Sequence, residues 1–210
     1  MITDERQNEL LDLYLGTMGI IKWRMKAIAD IRNKVKTTSF ANTNTEFCIL
    51  QIRKILESIA FASLVSNADV YNEKLGNVYK MRNAKKILED IERINPDFYP
   101  KPILIDPADK YNLLEYPDLF LTREQFIIVY DKCGKHLHEM SPFLSEKKEA
   151  EVYSELHEVI CTWEQLIINL LHTHLIQLYD NDHAFFIKTG GFVANTEIIG
   201  WKVVRCNDSD

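Results

Sequence analysis

Two histidines that lie two residues apart give this sequence its clearest opportunity for chemistry. His136 and His138 belong to the segment YDKCGKHLHEMSPF, residues 130–143, which also holds two lysines and comes at the end of a predicted helix. Histidine serves as a general acid or base near neutral pH, and a neighbouring cation stabilises phosphorane-like charge. Helical spacing also fits a core position for His136, whereas His138 points elsewhere and is the more accessible of the two.

A second candidate group lies on the helix predicted for residues 43–66. This stretch is mostly apolar and contains no glycine or proline, so its helix should be buried on several sides. Glu46, Arg53 and Glu57 form one narrow polar stripe along it, which is either a structural ion-pair seam or part of a site. Thr43 and Glu46 have the spacing of a capping box at the start of the helix.

A metal site is the weaker interpretation of the remaining histidines. His172 and His174, together with His183, could bind a metal if the region is a strand, because residues two apart share one face. A carboxylate or cysteine at a recognisable spacing is missing. The sequence also lacks a P-loop, a GxGxxG, an HExxH and a GxSxG motif. We therefore predict no metal and no cofactor.

Hydrophobic periodicity predicts a mainly α fold, a bundle of about five helices. The predicted helices cover residues 3–36, 43–66, 70–94, 122–140 and 145–172. The first carries a heptad-like apolar stripe, which consists of Tyr14, Met18, Ile21, Met25, Ile28 and Val35. Its other face is predicted to be a solvated cationic surface made of Lys22, Lys26, Arg32, Lys34 and Lys36. Capping residues Thr122 and Ser145 are predicted to open the last two helices.

Two segments of the chain lack the helical pattern. Residues 96–121 hold five of the six prolines together with many aromatic side chains, which predicts a proline-rich, ordered insertion over the bundle, with residues 103–105 as a short strand. Short β-branched or aromatic runs then predict a small antiparallel β tail. We expect a helical bundle over residues 1–175 and a β hairpin or tail over residues 176–205, docked on the bundle.

Composition limits the function classes. The net charge of −6 argues against a protein that coats nucleic acid by charge alone. The four cysteines are widely spaced without a CxxC pair, and Cys48, Cys133 and Cys161 lie among apolar residues, which is typical of buried thiols in a reducing cytosol. The N-terminus is charged from the start, unlike a signal peptide, and apolar runs stop short of the roughly 20 residues of a membrane span. We expect a cytoplasmic protein without a membrane partner.

The sequence resembles the HEPN domains in three features. It predicts a helical bundle, one of its helices carries arginine and glutamate, and another ends in a basic residue followed after a short gap by a histidine. HEPN domains are small α-helical proteins, often dimeric, of toxin–antitoxin and phage-defence systems. Many are metal-independent ribonucleases that use an arginine, four to six intervening residues and a histidine. The resemblance covers residues 44–172, and Lys132-x5-His138 keeps the spacing of the motif. Lysine replaces arginine here, however, and it cannot contact phosphate in a bidentate manner.

The resemblance implies an RNA-cleaving site, and a symmetric site would require a homodimer. His138 or His136 would be the acid or base, Lys132 and Arg53 would hold the phosphate, and Glu57 would orient Arg53. The departure from arginine is also compatible with a degraded, non-catalytic member. The alternative is a non-enzymatic interaction module that binds a partner protein through its first helix and its β tail.

Overall fold

The computed structural model describes residues 3–109, 112–139, 141, 143, 145–179, 182–192 and 196–204. Within these residues the chain forms six α-helices: α1 Asp4–Arg32, α2 Ala41–Ser66, α3 Ala68–Lys74, α4 Ala84–Glu92, α5 Arg123–His136 and α6 Glu146–Leu171. The five strands in the same residues are β1 Lys101–Ile105, β2 Leu113–Glu115, β3 Thr173–Gln177, β4 His183–Lys188 and β5 Ile199–Val204. The mainly α prediction is confirmed. None of the helices in this described part is long and apolar enough to cross a membrane.

Helix α1 follows its predicted stripe until the helix ends. Five of the six stripe residues are buried in the core, but Val35 lies beyond the end at Arg32 and is exposed. The prediction of a solvated cationic face is wrong for Lys22, which is buried. The Lys22 Nζ donates hydrogen bonds to the Thr189 carbonyl at 3.2 Å and to the carbonyl and Oγ1 of Thr196 at 2.6 and 2.7 Å. These hydrogen bonds connect α1 to the turn after β4.

Helix α2 is buried on several sides, as its composition predicts, and it forms the centre of the bundle. The prediction of a capping box at its start is wrong. The helix begins at Ala41 after Phe40, so Thr43 already lies in the first turn and its Oγ1 donates to the Phe40 carbonyl at 2.8 Å. Glu46 is thereby free to face another helix, and it accepts a hydrogen bond from Tyr153 on α6.

The helix predicted for residues 70–94 is divided into α3, a 3₁₀ turn at Val78–Lys80, and α4. Gly76 has a φ of 127°, a backbone conformation that favours glycine, and it therefore interrupts the helical path. The bundle consequently contains more helices than the predicted five. The last two starts are confirmed, since Thr122 and Gln125 make a reciprocal capping box and Ser145 accepts from the Lys148 N–H.

The strands form one antiparallel sheet in the order β2-β1-β3-β4-β5. The predicted proline-rich insertion supplies β1 and β2, and residues 103–105 are in β1 as predicted. Lys101 pairs with Leu175 and Pro102 pairs with His174, so the insertion extends the sheet of the tail. The tail rests on the bundle through β5, where Gly200 lies against Leu11 and Leu15 of α1.

Candidate functional site

A cleft of about 380 Å³ opens where the end of α5 meets the beginnings of α2 and α6. We call it the histidine cleft, and its lining residues are Glu46, Lys135, His136, Leu137, His138, Glu139, Ser141, Val152 and Tyr153. Helix α5 ends at His136, and Leu137 is its C-cap with φ −92° and ψ 0°. The turn that follows brings His136 and His138 into the same cleft, although their spacing would separate them on a continued helix.

The two histidines differ in their exposure. His138 is exposed, whereas His136 is half-buried at the last turn of α5. Burial lowers the pKa of His136, and the ammonium groups of Lys135 and Lys132 lower it further. His136 is therefore a neutral imidazole near pH 7, able to accept a proton.

Helices α2 and α6 supply a tyrosine–carboxylate pair to the cleft. The Tyr153 hydroxyl donates to Glu46 Oε1 at 2.6 Å. Burial raises the pKa of Tyr153, and the hydrogen bond to Glu46 raises it further, so the phenol keeps its proton at neutral pH. The cleft is thus lined by an acceptor carboxylate as well as by two imidazoles and a lysine.

Arg53 and Glu57 lie together on the side of α2 that contacts α5. The Arg53 guanidinium stacks on the Tyr130 ring, with Cζ 4.1 Å from the ring centroid, and its Nη2 donates to the Tyr130 hydroxyl at 3.0 Å. Its Nε lies 3.5 Å from Glu57 Oε1, so the predicted contact between Arg53 and Glu57 is present. Gly134 permits this approach, because a Cβ there would come within 2.8 Å of Arg53 Nη1.

The five predicted site residues therefore fall into three places. His136 and His138 share the histidine cleft, and Arg53 and Glu57 share the α2–α5 contact. Lys132 is exposed on α5, close enough to influence the pKa of His136, while Lys135 is the lysine that lines the cleft.

Tyr153 is the residue that sequence reasoning missed. It lies 107 positions from Glu46, and no local spacing relates the two. The only available signal is indirect. With Ser145 as the N-cap, residue 153 lies about two turns into α6, near the N-terminal end of that helix.

The weaker alternative in the sequence was a metal site at His172 and His174. His174 is buried at the start of β3, with Nε2 2.8 Å from the Tyr14 hydroxyl and Nδ1 3.1 Å from the Leu171 carbonyl. Both ring nitrogens are thus occupied within the core. Across the described ranges, no group of three or more histidine, cysteine or acidic side chains has an arrangement suited to a metal ion.

Comparisons with known protein families, curated proteins and solved structures gave no match for this chain. A functional assignment therefore depends on the side chains of the histidine cleft and on the chemistry that they can support.

Proposed function

We propose that this chain is a HEPN-like, metal-independent ribonuclease whose active site is the histidine cleft. The observation that supports this most strongly is that His136, His138 and Lys135 all line the same cleft. Two imidazoles supply a base and an acid, and an ammonium group stabilises negative charge. These are the groups needed to cleave RNA through attack by its own 2′-hydroxyl.

His136 is the base in this mechanism, because its lowered pKa keeps the imidazole neutral. It removes the proton of the ribose 2′-hydroxyl while the 2′-oxygen forms a bond to phosphorus. His138 donates a proton to the 5′-oxygen as the bond from phosphorus to that oxygen breaks. The products are a 2′,3′-cyclic phosphate and a 5′-hydroxyl, and Lys135 stabilises the charge on the phosphorus oxygens in between.

The other predicted residues support the cleft from outside. Lys132 is exposed beside it and attracts the RNA backbone. Arg53 binds Tyr130 and Glu57 in the free protein, so we assign it the role of holding the last turns of α5 in place. Phosphate contact by Arg53, which the resemblance implies, would require the guanidinium to leave the Tyr130 ring.

The resemblance also suggests a biological setting. We propose a cytoplasmic member of a toxin–antitoxin or phage-defence system that cleaves RNA and acts as a homodimer or with a partner protein. Because the chain carries a net charge of −6, we expect the RNA backbone to contact Lys132 and Lys135 rather than the surface at large.

Cleavage of total RNA and of tRNA in the presence of EDTA tests the proposal. We expect fragments with 5′-hydroxyl ends, and we expect an oligonucleotide with a single 2′-deoxy position to resist cleavage there. Intact RNA, or cleavage that needs an added divalent metal, would overturn the ribonuclease assignment.

A second candidate function is a non-enzymatic interaction module. Strand β5 lies at one edge of the sheet, and Ile199, Trp201 and Val204 are exposed on it. An exposed apolar edge strand is a common site for pairing with another chain. RNA that stays intact with both the wild type and the His138→Ala variant, at an unchanged melting temperature, would favour this function.

A further inference from the structure

One carboxylate in the histidine cleft has no part in the proposed cleavage mechanism. Glu46 lies on α2, is half-buried, and lines the cleft together with His136, His138 and Lys135. In the part of the chain that the structure describes, its side chain accepts one hydrogen bond, from the Tyr153 hydroxyl to Oε1 at 2.6 Å, and makes no ion pair. A carboxylate repels phosphate, so Glu46 suits a different part of the RNA than Lys135 does.

The hydrogen bond from Tyr153 holds the Glu46 carboxylate in place and leaves most of its acceptor capacity unused. An ionised carboxylate has about four lone-pair sites, and the phenol occupies one of them. Burial and the bond to Glu46 raise the pKa of Tyr153, so the phenol keeps its proton and stays a donor. A glutamine would serve equally well if the residue only linked α2 to α6. The carboxylate instead presents acceptor sites, and no donor, to whatever enters the cleft.

Among the four RNA bases, guanine alone offers a carboxylate two donors side by side. Its Watson–Crick edge presents N1–H and N2–H, which the two oxygens of one carboxylate can accept together. The same edge of adenine, cytosine or uracil presents one donor next to at least one acceptor, and an acceptor that faces a carboxylate oxygen is repelled. The aromatic ring of Tyr153 lines the same cleft and provides a surface on which a base can stack.

The cleft has room for the nucleotide that carries the attacking 2′-hydroxyl. Its volume of about 380 Å³ lies within the range of about 300–1,000 Å³ that is usual for ligand pockets. The base and the 2′-hydroxyl belong to one nucleotide, so the base that enters the cleft with the ribose at His136 lies on the 5′ side of the bond that breaks.

We propose that the histidine cleft binds guanine through Glu46, which Tyr153 positions, and that RNA is therefore cut on the 3′ side of guanosine. The position of the cut rests on the proposed ribonuclease function. The contact with guanine does not, because it can be measured with a nucleotide that is not cleaved.

Calorimetric titration of the protein at pH 7 with the 3′-monophosphates of guanosine, inosine and adenosine tests the contact. The three ligands share the same ribose and phosphate and differ only in the base. We expect the adenosine nucleotide to bind about tenfold more weakly than the guanosine nucleotide. Inosine lacks only the 2-amino group of guanosine, so its nucleotide should bind with intermediate affinity. Equal binding of the guanosine and adenosine nucleotides, or binding of neither, would overturn the proposal.

The Glu46→Gln variant tests the carboxylate itself. An amide supplies one acceptor and one donor group, which pair with N1–H and O6 of guanine or with N6–H and N1 of adenine, so the preference for guanine should fall to about twofold or less. The matched control is Glu149→Gln, which removes the same charge from a half-buried carboxylate that accepts from Asn42 on α2. Glu149 is outside the described lining of the cleft, and this variant should keep the preference of the wild type.

Equal loss of the preference in both variants would overturn the assignment to Glu46. Both variants should keep the wild-type melting temperature. The inosine comparison uses the wild-type protein, so it tests the contact even if Glu46→Gln folds poorly.

Sequencing of RNA fragments connects the guanine contact with cleavage. We expect most fragments produced in EDTA to end in guanosine 2′,3′-cyclic phosphate. Cleavage without a base preference would overturn the guanine proposal and leave the ribonuclease assignment standing. Intact RNA together with selective binding of the guanosine nucleotide would support the contact with Glu46 and overturn the ribonuclease assignment.

Discussion

Two histidine pairs with the same spacing differ in this protein, because only one of them places a histidine in the core. His172 and His174 follow α6 into the sheet, and His174 is enclosed in the core. His136 and His138 follow the end of α5 into an open cleft. The Leu171 carbonyl can only accept, so His174 Nδ1 donates to it and Nε2 accepts from the Tyr14 hydroxyl. His174 thus contributes a fixed structural link, whereas His136 and His138 present imidazoles that can exchange protons with a ligand.

The difference shows that backbone context, rather than residue type or spacing, decides what a histidine does. Pairing of β3 with β1 and β4 fixes His174 between Pro102 and Ile187 in the sheet. At the end of α5 the chain turns at Leu137, and both histidine side chains reach the same cleft. The contrast can be tested by substitutions that affect one pair and leave the other unchanged.

The largest expected effect is on RNA cleavage by His138→Ala. Loss of a general acid typically lowers the rate about 100- to 10,000-fold. His138 is exposed, so the melting temperature should stay the same. The matched control is His172→Ala, which removes the exposed histidine of the other pair and should retain full activity. Equal activity of the two variants would contradict the assignment of the cleft.

The next effect is a loss of stability in acid that depends on His174. Burial lowers the pKa of His174 to about 4, from about 6.5 in the unfolded chain. Between these values the unfolded state binds a proton that the native state excludes, so stability falls as the pH falls from about 6.5 to about 4. The total loss is about 3 kcal/mol, of which about 2 kcal/mol should be measurable between pH 7 and pH 5.

Urea denaturation at pH 7 and pH 5 measures this loss. His136 also has a lowered pKa and contributes a slope of the same sign. The His174→Gln variant isolates the contribution of His174, because glutamine does not titrate. A variant with the same pH dependence as the wild type would show that His174 is not the main titrating group.

A smaller effect is expected for Tyr14→Phe. This change removes the hydroxyl that donates to His174 Nε2 and leaves a buried acceptor without its partner. The free energy of unfolding should fall by about 1–2 kcal/mol at pH 7. RNA cleavage by the folded variant should be unchanged, which a cleavage assay below its melting temperature can check.

The smallest effect is expected for Tyr153→Phe in the cleft. The Glu46 carboxylate loses a hydrogen bond, but it can bind water in its place because the cleft is open. We expect a change in the free energy of unfolding of about 0.5 kcal/mol or less. A loss as large as that of Tyr14→Phe would show that the cleft wall is as tightly packed as the core around His174.

Local patterns in the sequence predicted much of this molecule. Periodicity predicted α1, α2, α5 and α6, and Thr122 and Ser145 marked two helix starts, because these signals act within a few residues. His136 and His138 could be grouped for the same reason.

Contacts between distant segments could not be predicted in this way. Lys22 is buried by Thr189 and Thr196, which lie more than 160 positions further along the chain. Tyr153 and Glu46 meet only because α6 packs beside α2. Periodicity cannot encode such pairs, since it reports the face of an element and not its neighbour.

The most direct test measures RNA cleavage in EDTA and the free energy of unfolding together, for the wild type and for alanine variants of His136, His138, His172 and His174. We predict that the first two variants lose cleavage and keep their stability. We predict that His172→Ala keeps both, and that His174→Ala loses about 2–4 kcal/mol of stability and keeps cleavage while folded. Intact RNA with the wild-type protein, or cleavage by His138→Ala at the wild-type rate, would contradict the division between a structural His174 and a catalytic His136 and His138.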